Sequence, residues 1–261
     1  MDNIKPAEIV RDITLMGAQK AKLPIKDILI RGFLAGAFLS YATTLAFTVA
    51  TQSGLSYVGA MVFPVGFIMI VLLGLELVTG NFAIVPMAVM DKQITMRGLW
   101  HNWFWGFTAN LLGALFFGIL FVLYSTKLGT TYNFETAERL IAVATDKTLA
   151  YKQQGAGGMV VVIIKAILCN WMVTLGIVMG ATSNSTVSKI FAIWIPIFTF
   201  FAIGLEHSVV NMFVIPTAMM ANAPITMYDW WIWNQIPVTL GNIVGGFVFT
   251  GLFLHLTYKN R

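Results

Sequence analysis

The sequence predicts an all-α membrane protein, with six transmembrane helices in two inverted three-helix repeats and with helices 2 and 5 broken. Three observations predict it. Only 10% of the 261 residues are charged, against about 25% in soluble domains, while 58% are hydrophobic and the mean hydropathy is +0.80. That leaves too little polar surface for a water-soluble globule and excludes a soluble two-domain enzyme. Long stretches carry almost no charge, and each is long enough for one or two spans of about 20 residues. Finally, the second half of the chain repeats the first at an offset of 130 residues.

The elements follow in order. Residues 1–24 hold no long apolar core after their charges, so they do not read as a cleaved signal peptide. Ile9, Ile13 and Met16 fall at i, i+4, i+7, which predicts a short amphipathic helix lying along the cytoplasmic surface. Residues 25–126 hold the first repeat: Gly32 to Leu75 is 44 residues without Asp, Glu, Lys or Arg, enough for two spans, and Gly98 to Thr126 gives a third. Residues 127–154 form the longest polar stretch, an extracytoplasmic linker in which Glu135, Glu138 and Arg139 predict a short surface helix of no assigned function. The second repeat, 155–258, holds three further spans. Gly155 to Ser188 contains only Lys165, Ile190 to Tyr228 is interrupted only by Glu206, and Trp230 to Tyr258 closes the set, leaving a tail of residues 259–261.

Six spans put both termini on one side. Eleven of the lysines and arginines collect on that side and four on the other, so the positive-inside bias places both termini in the cytoplasm, as in a multi-pass protein of the inner (cytoplasmic) membrane. The formal net charge of +5 therefore reads as orientation, and no nucleic-acid partner is expected. Trp100, Trp103 and Trp105, and again Trp230, Trp231 and Trp233, cluster at span starts, where interfacial aromatic belts sit. The single Cys169 excludes an intramolecular disulfide and any multi-cysteine metal site.

The repeat locates the chemistry. Gly74-Leu75-Glu76 recurs as Gly204-Leu205-Glu206, and at the same offset Asn81 matches Asn211, Pro86 matches Pro216, Ala88 matches Ala218 and Met90 matches Met220. Asn110 and Gly113 match Asn242 and Gly245 at offset 132, and Ile30-Arg31 resembles Ile164-Lys165 at 134. A three-span unit repeated must cross the membrane upside down the second time, an architecture common among transporters and channels. Each copy sets Gly, a carboxylate, Asn and Pro in an apolar run. A carboxylate in a spanning helix costs about 2.5–3.5 kcal/mol on insertion scales, and Gly and Pro loosen the helix. Two broken helices are expected, whose freed backbone groups line a cavity or are buried in protein.

The segments GLEHSVVNMFVIP (Gly204 to Pro216), ILCNWMV (Ile167 to Val173), LELVTGN (Leu75 to Asn81) and VTLGNIVGG (Val238 to Gly246) resemble the formate/nitrite transporter family over nearly the whole chain, most of all its formate-channel branch. The resemblance implies an aquaporin-like protomer assembled as a homopentamer in the lipid bilayer, with a pore through each protomer. It implies small weak-acid anions as substrates: formate first, with nitrite, hydrosulfide, acetate or lactate as relatives. It implies no cofactor. His207 matches the family's central pore histidine, Thr79 the threonine facing it, and Asn170 and Asn242 two pore asparagines. Phe63 and Phe200 fall on the outer constriction, Leu77 and Phe67 on the inner one. The family's vestibule lysine falls here on Gln154, which leaves Lys152 and Lys165 as candidates in its place.

Each position also has a plainer reading. A single histidine in an apolar helix is often a packing residue, but His207 faces Leu77 in the repeat, and that asymmetry favours a specific role exchanging a proton with a passing acid. Thr79 can be a hydroxyl bonded back to its own helix, although Gly80 and Asn81 beside it favour a bond to substrate or His207. Glu76 and Glu206 are duplicated symmetrically, so with Gly80, Asn81 and Asn211 they read as structural parts of the breaks. There each carboxylate would accept bonds from its own helix's free amides. Asn170 and Asn242 can equally join helices, and Lys165, equivalent to Arg31, can snorkel to the surface. Among other classes, an aquaporin-type facilitator lacks its paired Asn-Pro-Ala boxes here. An intramembrane enzyme lacks a metal set or a nucleophile–base pair, since Ser208 directly after His207 cannot face it on a helix.

Overall fold

The computed structural model describes residues 4–131 and 134–259. Residues 1–3, 132–133 and 260–261, parts of the expected amino-terminal segment, linker and tail, lie outside them. Among the described residues every element is helical. Helix α1 (Pro6–Ala21) is followed by α2 (Ile25–Ser53), α3 (Ser56–Val62), α4 (Pro64–Leu72), α5 (Val78–Met90) and α6 (Met96–Ser125). The linker carries α7 (Ala137–Asp146) and α8 (Leu149–Gln153), and then come α9 (Ala156–Gly180), α10 (Thr186–Ala202) and α11 (Ser208–Met220). The last helix runs from Met227 to Tyr258 as α12 (Met227–Trp230), a π segment (Trp231–Gln235), α13 (Ile236–Gly246), a second π segment (Phe247–Leu252) and α14 (Phe253–Tyr258).

Four described helices are long and apolar enough to cross a membrane: Ile25–Ser53, Met96–Ser125, Ala156–Gly180 and Met227–Tyr258. Between them stand two pairs of shorter apolar helices, Ser56–Leu72 with Val78–Met90 and Thr186–Ala202 with Ser208–Met220. The first pair has an additional joint, because Pro64 starts α4 immediately after Phe63. The long helices pair through glycine. A Cβ on Gly113 of α6 would strike the Phe33 carbonyl of α2, and one on Gly245 of α13 would strike the Ile167 carbonyl of α9. These two positions let backbones approach more closely than any other side chain permits.

Helix α1 is less superficial than its periodicity implies. Ile9, Val10, Ile13 and Gly17 are buried, whereas Met16 is exposed. The buried stripe packs on Ile84 and Val85 of α5 and on Leu99, so α1 is docked on a half-length helix rather than spread along a surface. The linker is also part of the core. Leu140 and Ala144 of α7 are buried in the main apolar cluster, and Arg139 Nη2 donates to Ser56 Oγ at 2.8 Å.

Candidate functional site

The two breaks are built alike. Gly74 and Gly204 adopt φ of 63° and 68°, the left-handed conformation that ends helices and that only glycine reaches without strain. The turns close with matching bonds, Leu75 N to Ile70 O at 3.0 Å and Leu205 N to Phe200 O at 3.1 Å. Chain direction then resets over three residues before α5 and α11 begin. Each new helix exposes main-chain N–H groups without intrahelical partners. Asparagine oxygens meet the first of these: Asn110 Oδ1 accepts from Val78 N at 2.9 Å and Asn242 Oδ1 from Ser208 N at 2.8 Å. The amide of each asparagine donates to the carbonyls of Glu76 and Gly32, or of Glu206 and Ala166. Asn110 and Asn242 thus tie each break to the long helices beside it.

The carboxylates are held by side chains rather than by their own helices' main-chain amides. Buried Glu76 accepts from Lys20 Nζ at 2.6 Å, Asn81 Nδ2 at 2.9 Å and Asn102 Nδ2 at 3.3 Å. Buried Glu206 accepts from Lys147 Nζ at 2.9 Å, Asn211 Nδ2 at 2.8 Å, Asn234 Nδ2 at 3.3 Å and the Tyr151 hydroxyl at 2.8 Å. A buried carboxylate needs this many donors to remain an ion. Glu76 is held from α1 by Lys20, and Glu206 from the linker by Lys147 and Tyr151.

Thr79 Oγ1 and His207 Nε2 stand 3.0 Å apart, both fully buried. His207 is the residue capping α11, and its Nδ1 accepts from Val210 N at 3.1 Å. Nδ1 therefore carries no proton, and the ring proton sits on Nε2, donating to Thr79. Among the described residues, this leaves the Thr79 hydroxyl hydrogen without a protein acceptor. Asn170 Nδ2 donates to the Thr79 carbonyl at 3.0 Å and to the Asn242 carbonyl at 2.6 Å, while its buried Oδ1 has no partner. The position of Leu77, equivalent to His207 in the repeat, caps α5 without a polar group.

Two phenylalanines pack next to this pair. Phe200 stacks on the His207 imidazole, with ring centroids 5.7 Å apart, and meets Phe63 edge-on at 5.6 Å. On the α1 side a cavity of about 540 Å³ has Lys20, Arg31, Phe67, Leu77, Ile177 and Lys189 among its walls. Gly80 faces Ile177 so closely that a Cβ there would collide with it. The same walls carry the carboxylates of Asp12 and Glu76 beside the three cations.

Of the three candidates for the linker-side cation, Gln154 is exposed at the end of α8 and Lys152 Nζ is bound to Asp229 Oδ1 at 2.8 Å. Lys165 does not simply extend to the surface, since its ammonium stands 4.0 Å from Glu206 Oε1. The lysine that reaches the carboxylate is Lys147, which sequence reasoning only counted as a loop charge. Lys20, Tyr151, Asn102 and Asn234 were missed as well. A signal for the asparagines exists, because Asn102 and Asn234 sit at the same offset of 132 as Asn110 and Asn242. No comparable signal exists for Lys20 and Lys147, which come from unrelated segments.

The formate/nitrite transporter family profile matches residues 7–256. An uncharacterized transporter, YrhG, from Bacillus subtilis is 38% identical, covering 98% of this chain and 94% of its own. A probable formate transporter from Methanothermobacter thermautotrophicus is 34% identical (97% and 96%), and the formate channel FocA of Escherichia coli K12 is 30% identical (98% and 94%). Among solved structures, an FNT family ion channel superposes with a TM-score of 0.81 at 24% identity, covering 96% of this chain and 98% of that one. A pentameric formate channel with formate bound superposes with a TM-score of 0.74 at 23% identity, covering 90% and 98%. These structures share the fold; the sequence matches carry the kinship, and the chain belongs to the formate/nitrite transporter family.

Proposed function

We propose that this protein is a channel or proton-coupled carrier that passes formate and related small monovalent weak acids across the cytoplasmic membrane. The observation that carries the reading is the buried Thr79–His207 hydrogen bond next to two phenylalanines. In this reading each pair of half-length helices is one broken span, giving six spans in two inverted repeats, residues 25–126 and 155–258. The α1 face and both termini are cytoplasmic. The assembly is a homopentamer with a pore in each protomer, an inference supported by the relatives and not by any feature of a single chain.

The anion enters a vestibule, accepts a hydrogen bond from the Thr79 hydroxyl, takes its proton from water on the entry side, so that one bulk proton accompanies each anion, and crosses the phenylalanine and leucine rings as the neutral acid. Moving a bare carboxylate into a medium of dielectric about 4 costs on the order of 20 kcal/mol by an idealised Born estimate. Protonating a carboxylate of ordinary pKa at neutral pH costs about 4 kcal/mol. Neutralisation is the easier route through an apolar ring. The Thr79 hydroxyl hydrogen meets an arriving carboxylate oxygen, while Nε2–H of His207 holds the threonine oxygen in place. Asn170 and Asn242 set the position of Thr79 and Ser208 on either side, and Glu76 and Glu206, with Gly80, Asn81 and Asn211, keep the two breaks rigid.

Purified protein in liposomes tests this by flux of formate, nitrite, hydrosulfide, glycerol and thiocyanate, the last an anion that stays charged. Fast formate flux with thiocyanate and glycerol excluded is expected. Flux of nitrite or hydrosulfide without formate moves the substrate within the same class, and thiocyanate flux contradicts neutral passage.

A further inference from the structure

Gly80 has no backbone reason to be glycine. It lies in the first turn of α5 without the positive φ of Gly74 and Gly204. Unlike Gly113 and Gly245, it does not press on the carbonyl of a neighbouring helix. Among the described residues outside its own helix, a Cβ there would meet one side chain, Ile177 of α9, colliding with Cδ1 while Cγ1 stands at 3.7 Å. The repeat does not demand glycine either, since the position 130 residues later is Val210. What Gly80 provides is a methyl-sized recess, and the tip of Ile177 fills it. The recess adjoins the central pair. Gly80 directly follows Thr79, and the helix face that carries Ile177 also carries Asn170, seven residues earlier, whose Nδ2 donates to the Thr79 carbonyl at 3.0 Å. Ile177 is a wall of the α1-side cavity together with Phe67 and Leu77, and Phe67 Cε1 lies 3.3 Å from the Cβ position of the adjacent Gly176.

We propose that Ile177, seated over Gly80, is a specificity-determining residue that limits the size of the acid this protein carries, favouring formic acid over acetic acid, which is larger by one methyl group. The proposal rests on the transport reading above and narrows its substrate class. Three features support it. The hydroxyl that Thr79 offers meets a carboxyl group, which formate and acetate share, so discrimination between them falls to the apolar walls. The wall at Gly80 is the end of a side chain and not a backbone, so its reach is set by one atom. Ile177→Val deletes that atom alone, and the remaining Cγ1 stands at ordinary van der Waals distance from a methyl placed at Gly80. The space that Cδ1 takes is also the space that acetate needs beyond formate, and one methylene in an apolar site discriminates about 10- to 200-fold.

The test is stopped-flow uptake of formate and of acetate by liposomes carrying the purified protein, each corrected for protein-free liposomes, with the acetate-to-formate rate ratio as the readout. Ile177→Val is expected to raise that ratio about tenfold, the low end of what one methylene decides, with formate itself near wild type. Adding Gly80→Ala to Ile177→Val returns a methyl to the recess from the opposite wall, and the ratio returns to the wild-type value. A purely structural role lowers both rates together and leaves the ratio unmoved, which overturns the proposal. A ratio that stays raised in the double variant overturns it too, as does wild-type protein that carries acetate as fast as formate. An equal rise in Ile197→Val traces the effect to looser packing of α9, since Ile197 packs on Gly176, and also overturns it. Wild-type protein that carries neither acid overturns the formate reading itself, a result that no comparison of variants can mimic.

Discussion

At the centre of the molecule two side chains from different halves meet, and their bond directions limit what each can do. Val210 N–H occupies His207 Nδ1, so the imidazole presents a donor to Thr79, and Thr79 in turn presents its hydroxyl hydrogen to the substrate. Thr79→Ala removes that hydrogen bond to the substrate and leaves a buried Nε2–H unmatched, a loss of about 1–3 kcal/mol. Formate flux measured by stopped flow is expected to fall about tenfold in Thr79→Ala, at 1.4 kcal/mol per factor of ten, and to stay near wild type in Thr79→Ser. The Glu206 clamp makes a prediction of a different kind. Lys147→Met strands a buried carboxylate and is expected to cost about 3–5 kcal/mol, read as a large drop in the unfolding temperature in detergent. Adding Glu206→Gln to it recovers much of that loss. The asymmetry of His207 against Leu77 was visible in the sequence because one copy of the repeat carries an imidazole where the other carries an apolar side chain. The lysines were not, because Lys20 comes from α1 and Lys147 from the linker, and these segments share no register with the repeated spans.

Half-length helices exist here because of two left-handed glycines, and the protein distinguishes conformational glycines from packing ones. A Cβ at Gly204 meets nothing within 4 Å, so Gly204→Ala carries only the left-handed backbone penalty of about 1–2 kcal/mol. At Gly245 the same methyl strikes the Ile167 carbonyl of α9, and overpacking a well-fitted contact costs about 1–3 kcal/mol, occasionally more. Thermal unfolding is therefore expected to rank Gly245→Ala below Gly204→Ala. Flux is expected to respond the other way relative to stability, since Gly204 sets the direction of α11 and with it the position of His207. The Gly-Leu-Glu repeats and their asparagines announced the breaks. The joint at Phe63–Pro64 and the π segments of the last helix were not legible, because they depend on which neighbours a helix must bend around. The π segment at Trp231–Gln235 carries Asn234, which reaches Glu206 at 3.3 Å, while Asn102 makes the same contact with Glu76 from an uninterrupted α6.

Taken whole, the molecule has two buried carboxylate clamps, and between its two broken-helix segments the buried Thr79–His207 pair is tied to Asn170 and, through Ser208, to Asn242. Composition and charge-free runs made the membrane class plain, and the offset repeat marked where the two breaks at Gly74 and Gly204 fall. The linker was read as a bystander because its polar residues resemble a solvated loop, yet Arg139, Lys147, Tyr151 and Lys152 all tie it to the body of the protein. In the proposed mechanism the acid leaves its charge behind, so at fixed total formate the flux is expected to rise as the donor side is acidified. The most direct test of that account is formate uptake into liposomes with the internal pH recorded and the membrane potential clamped, with His207→Phe alongside. Uptake that acidifies the lumen by one proton per formate, ignores the clamped voltage and collapses in the variant is the predicted result. Uptake that follows the voltage and leaves the internal pH unchanged would mean that the bare anion crosses, and would contradict it.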